Sequence, residues 1–147
     1  MTENSERKAW MGLLARAPGA DLNRLWSWAG LAPDYAHLRP PEVGGVMVRG
    51  RAGATGAPFN LGEMTVTRCA VRLADGTVGH GYVQGRGKTH ATQAALVDAL
   101  MQGAEAEILR AAVLSPLQEA EDARRSARAA RAAATKVDFF TMMRGED

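Results

Sequence analysis

The chain has 147 residues and a formal net charge of +2, distributed as 0, +4 and −2 over residues 1–38, 39–90 and 91–147. Low net charge with clear periodicity excludes intrinsic disorder, and the modest positive excess suits a phosphate-bearing partner while falling short of what coating a nucleic acid requires. Alanine accounts for 28 residues against 27 Leu, Ile, Val and Phe together, so the core of the isolated chain is expected to be thin and completed by a partner subunit.

Trp10, Leu13, Leu14 and Ala17 recur at helical spacing, and Pro18-Gly19 ends that helix. A second short helix is expected with Asp21 as N-cap, Leu22, Leu25, Trp26 and Ala29 on one face and Gly30 as the stop. Trp28 falls off that stripe, and packing under a neighbouring loop is favoured for it over an interface role. Short strands are expected over 35–38, ended by Pro40-Pro41, and over 43–51. The glycine-punctuated stretch 53–62 reads as a connection, more simply a turn than a phosphate cradle.

Residues 61–73 and 77–84 are rich in Val and Thr and flank Asp75-Gly76, which predicts an antiparallel hairpin. Strand alternation puts Arg68 and Arg72 on one face with Met64, Val66 and Ala70, a face expected to be solvated. The second strand runs directly into a helix through Gly85, Arg86, Gly87, Lys88, Thr89 and His90. A P-loop would require glycine where Tyr82 stands, so that reading fails. A basic corner remains, at which Arg86 offers a forked phosphate contact, Lys88 a point charge, His90 a hydrogen bond and Gln84 a neighbouring amide, beside the positive end of a helix dipole. His80 and Tyr82 share a strand face that extends the corner. Asp98, in the apolar helix that follows, requires a partner; Arg68 or Arg72 is the candidate, and a structural role is preferred over a catalytic one.

Ser115-Pro116-Leu117-Gln118 has the form of a helix start. The helix beyond it is almost wholly alanine and charged residues, an exposed spacer, and it leads to the cluster Val137, Phe139, Phe140, Met142 and Met143, which is expected to dock on a partner. The organisation is an α+β domain over 1–114, with an antiparallel meander of about four strands between helices, and a helical spacer with a docking tail over 115–147. The one cysteine, Cys69, rules out a disulfide within the chain and a Cys-x-x-Cys metal site, so no cofactor and no metal are expected. With no apolar run of membrane-spanning length and no signal-peptide core, a cytoplasmic protein is expected, without membrane or nucleic-acid partners.

Three segments in order, 67–77 (TRCAVRLADGT), 83–101 (VQGRGKTHA followed by ALVDALM) and 136–145 (KVDFFTMMRG), resemble the PhnG family, the G subunit of the bacterial carbon-phosphorus lyase core complex. The resemblance covers nearly the whole chain. It implies a subunit that assembles with subunits H, I and J, closest to I, and that acts with the H, I and L proteins, helping the I subunit replace the adenine of ATP with an alkylphosphonate to give ribose 1-phosphonate 5-triphosphate, while J carries the later cleavage of the carbon-phosphorus bond. Carried over by position, it maps the family's strand-to-helix corner onto Gln84, Gly85, Arg86, Lys88 and His90, and its tail onto residues 137–141. Gly87 stands where the family frequently has an acidic residue, so no acid role is assigned there, and no residue is assigned as catalytic. The alternative is a free-standing phosphate-ester or nucleotide-binding enzyme using Arg86, Lys88 and His90; it lacks paired carboxylates for magnesium and a nucleophile beside a base.

Overall fold

The computed structural model describes residues 2–51 and 56–144, with the side chains of residues 2, 60 and 138–144 outside the described set. Two compact units are present, Met1–Leu117 and Gln118–Asp147. The first contains α1 (Thr2–Arg16), α2 (Gly19–Ala29), β1 (Tyr35–Arg51), β2 (Pro58–Leu73), β3 (Val78–Gln84), α3 (Lys88–Leu100), α4 (Ala106–Leu109) and a π-helical turn (Arg110–Leu114). The last helix, α5, runs Ser115–Arg144. The class is α+β, with one open antiparallel sheet in the order β1-β2-β3.

The strands expected over 35–38 and 43–51 are two halves of β1. Both pair with β2, and the ladder slips in register on either side of Arg39, where Pro40-Pro41 are absorbed. Proline lacks the N–H a central strand must donate, but β1 is an edge strand and tolerates it. At its other end β2 begins at Pro58, so the second half of the expected connection is strand; residues 52–55 lie outside the described residues. The hairpin forms where Asp75-Gly76 predicts it. Gly76 takes φ 94°, Leu73 N–H donates to Thr77 O at 2.8 Å, and Thr77 N–H donates to the Asp75 carboxylate at 2.9 Å.

Helix α3 packs on β2 and β3 at close range. A Cβ at Gly79 would strike the Ala95 carbonyl and Ala99, and one at Gly81 would strike the Ala91 carbonyl. Alanines at i, i+4 and i+8 on α3 thus sit directly over glycines at i and i+2 on β3, and the small side chains bring backbone onto backbone. Leu14, Leu22, Val71, Val83, Val97, Leu109, Val113 and Leu117 fill the rest of the core.

Three local expectations change. The N-cap of α2 is Pro18, and Asp21 lies in the first turn with its N–H bonded to the Pro18 carbonyl at 3.0 Å. Trp28 is 85% exposed rather than packed under a loop. Ser115 has helical angles, φ −62° and ψ −47°, because the preceding π turn carries the chain into Pro116 without a break, so Ser115 does not cap a helix start. Gly30 does end α2, in the left-handed conformation at φ 69°. In the second unit, side chains 122–137 are exposed, and Arg125 pairs with Glu121 at 3.3 Å and Asp122 at 3.6 Å. Val137 is 62% exposed, while the side chains of Phe139, Phe140, Met142 and Met143 lie outside the described residues. No helix among the described residues is long and apolar enough to cross a membrane.

Candidate functional site

The corner between β3 and α3 is pinned to β2 by its backbone. Gly85, at φ 93°, donates its N–H to Thr65 O at 2.8 Å, and its carbonyl accepts from the buried Thr67 hydroxyl at 2.7 Å. Gly87 then enters α3 without a side-chain cap, and no acidic residue occupies the first turn. The first helical bond runs from Ala91 N–H to Gly87 O at 2.9 Å. The N–H groups of Lys88, Thr89 and His90 precede it, at the positive end of a 13-residue helix.

Arg86 and Lys88 are exposed at this corner, and Gln84 is exposed at the end of β3. His90 is turned inward. It is 7% exposed, and its Nε2–H donates to Leu14 O at 2.8 Å. The missing Cβ of Gly87 leaves room for its side chain, which also lies against Gly19. The imidazole therefore ties α3 to the end of α1, and the anion-binding capacity of the corner rests on Gln84, Arg86, Lys88 and the helix terminus.

The corner continues onto the outer face of the sheet. Arg68 stands opposite Tyr82, Ala70 opposite His80, and on the other side Glu42 stands opposite Arg68 and Arg39 opposite Ala70. A shallow depression of about 260 Å³ is lined by Arg39, Arg68, His80 and Tyr82. Arg39, Arg68 and Arg72 are exposed and form no ion pair with any described residue. Arg68 and Arg72 are exposed as expected, whereas Val66 and Ala70 on the same face are buried, and the face is electropositive.

Asp98 pairs with neither of those arginines. It is fully buried on α3 and accepts from Arg7 Nη2 at 2.9 Å, Arg7 Nε at 3.1 Å, Trp10 Nε1 at 2.8 Å and the His80 backbone N–H at 2.8 Å. Arg68 and Arg72 point to the sheet face opposite α3, which is why they cannot reach it. Four donors saturate the carboxylate, and its hydrogen bond holds the Arg7 pKa above the ordinary value. The role is structural: the group joins α1, β3 and α3.

A cleft of about 630 Å³, not singled out by the sequence, lies between the end of α2, the start of β1 and the first turns of α3, with Trp26, Tyr35, His37, Lys88, Thr92 and Gln93 on its walls. Gln93 Nε2 donates to Asn23 Oδ1 at 2.8 Å, and its buried Oε1 has no hydrogen-bond partner among the described residues. The sequence signal for it was Gln93 itself, a buried amide in an otherwise apolar helical run. Cys69 lies nearby, its Sγ 3.7 Å from His37 Nδ1 and 3.8 Å from Thr92 Oγ1. Burial pushes the Cys69 thiol up in pKa, against a smaller opposing effect of the Thr92 hydroxyl, which keeps it a thiol rather than a nucleophilic thiolate.

Residues 5–145 match the family described as phosphonate metabolism protein PhnG. The chain is also 48% identical, over 147 residues, to the alpha-D-ribose 1-methylphosphonate 5-triphosphate synthase subunit PhnG of Rhizobium meliloti (strain 1021). That alignment covers 97% of this chain and 92% of the relative.

Proposed function

Because the chain belongs to the PhnG family of phosphonate metabolism proteins, we propose that it is the G subunit of a ribose 1-methylphosphonate 5-triphosphate synthase, working with carbon-phosphorus lyase subunits H, I and J and seated closest to I. In this reading the complex exchanges the adenine of ATP for an alkylphosphonate. This chain contributes binding rather than covalent chemistry: Arg86 and Lys88, with Gln84 beside them and the uncapped start of α3 behind, meet the anionic groups of the triphosphate or the phosphonate. His90 holds α3 in place through Leu14.

The near full-length relationship to a synthase subunit carries the reading, and a basic helix terminus with no acid in its first turn supports it. Replacing Arg86 by Ala tests it in the assembled complex. Loss of a charge-assisted contact of about 1.5–3 kcal/mol lowers adenine release from ATP and methylphosphonate by roughly 10- to 100-fold, with recovery of the complex unchanged. Loss of assembly with unchanged activity per complex would show the corner to be structural instead.

A further inference from the structure

The two edges of the sheet are treated differently. At the β3 edge, the His80 N–H donates to Asp98 and the Val78 carbonyl accepts from Gln102 Nε2 at 2.9 Å, so backbone groups there are met by side chains of the helical layer. On the other side, β1 and β2 run on past the end of β3. Strand β3 pairs only with residues 66–72, whereas residues 45–51 and 58–65 form a ladder with each other that β3 does not join, the Gly85 N–H to Thr65 O bond marking where the third strand ends. A two-stranded ribbon without a third strand is at best marginally stable in water unless something packs on it.

The ribbon has an apolar face. Val46 opposes Met64, Val48 opposes Gly62 and Gly50 opposes Phe59, and the bulged Leu61 leans over Gly50. Phe59 and Leu61 on this strip are 46% and 62% exposed. The register makes the strip continuous with the sheet face that carries Arg39, Arg68 and Arg72. One surface therefore joins an uncovered apolar strip to three arginines that no described residue neutralises, with Glu42 as the carboxylate among them.

We propose that this surface docks another protein subunit, one whose matching face is apolar at its centre and acidic at its rim. A second copy of this chain does not supply that rim, because the same face carries three arginines against the one carboxylate of Glu42. The inference rests on the synthase-subunit reading for the existence of a partner, and names the surface and chemistry by which that partner is held.

The test uses the full chain, tagged and co-expressed with synthase subunits H, I and J. Val48→Asp with Leu61→Asp, and separately Arg68→Glu, lower recovery of the partners at least tenfold, while Met47→Asp on the opposite ribbon face leaves it unchanged. Hydrogen exchange on the unmodified complex gives a reading independent of any variant: amides of 45–51 and 58–65 become protected relative to the free chain. Normal recovery of partners by the variants, or no added protection, overturns the proposal. So does binding of inorganic triphosphate to the free chain that Arg68→Glu abolishes without affecting recovery, which marks the face as an anion site. A wild-type chain that recovers no synthase subunit overturns the synthase-subunit reading, whereas a variant complex that assembles and turns over leaves it standing and removes the docking surface.

Discussion

Arg7 and Asp98, 91 positions apart in the chain, meet in a two-pronged ion pair at 2.9 and 3.1 Å beneath which the carboxylate is fully buried. Trp10 and the His80 backbone complete its shell. Removing the acid leaves a guanidinium, an indole N–H and a strand N–H without their acceptor, whereas removing the arginine leaves Asp98 two of its donors. Asp98→Ala is expected to cost about 3–5 kcal/mol. Arg7→Met, at a side chain 34% exposed to water, is expected to cost about 1–2 kcal/mol. Urea unfolding of the two variants checks both the magnitudes and their order.

The contact of α3 with β3 depends on two hydrogen atoms. A Cβ at Gly81 must displace backbone of α3, not a flexible side-chain end, so Gly81→Ala is expected to lower stability by about 2–3 kcal/mol, within the range for overpacking. Gly76→Ala is costly for a different reason, its φ of 94° in the hairpin. Urea unfolding of the full chain separates the cases when Gly76 is also replaced by Asn, which tolerates a positive φ and recovers stability, whereas no side chain at Gly81 does.

Asp75 adds a pH dependence to the same hairpin. The Thr77 backbone N–H, then its side chain, hold the carboxyl below its ordinary value of 3.8. With the folded pKa depressed, the contribution is present above the unfolded value and is lost as pH falls through the folded one. Proton NMR should show the Thr77 amide shifting upfield at acid pH, below the titration of an unpaired aspartate; an Asp75 that titrates at 3.8 or above removes the effect.

The end of α5 carries an apolar cluster, Val137, Phe139, Phe140, Met142 and Met143. Two phenylalanines and two methionines within residues 137–143 lie in the last turns of α5, beyond a stretch whose side chains 122–137 are exposed. Deleting Phe139 and Phe140 is expected to reduce recovery of the synthase complex at least tenfold while the fold of residues 1–117 melts as before. An intact complex after that deletion excludes docking by the tail.

Local chemistry was legible in the sequence where a single residue type has few alternatives. Asp75-Gly76 specified a turn, Gly30 a helix stop, and strand alternation put Arg68 and Arg72 on the open face. Partnerships between distant segments were not legible: Arg7 reaches Asp98 across most of the first unit, and His90 turns to Leu14 where the missing Cβ of Gly87 makes room for it. Pro40-Pro41 looked like the end of a strand because proline stops a central one, and only the sheet order shows that β1 lies at an edge. Alanine, read as a shortage of core, instead marks close approach wherever it faces glycine across α3 and β3.

The most direct measurement is adenine release from ATP and methylphosphonate by purified proteins, with this chain and the other synthase subunits assayed apart and together. No release by the chain on its own, none by the others without it, and restoration on mixing is the expected result. Release of adenine by the isolated chain would contradict the subunit reading and make the Arg86 corner the site of an enzyme in its own right.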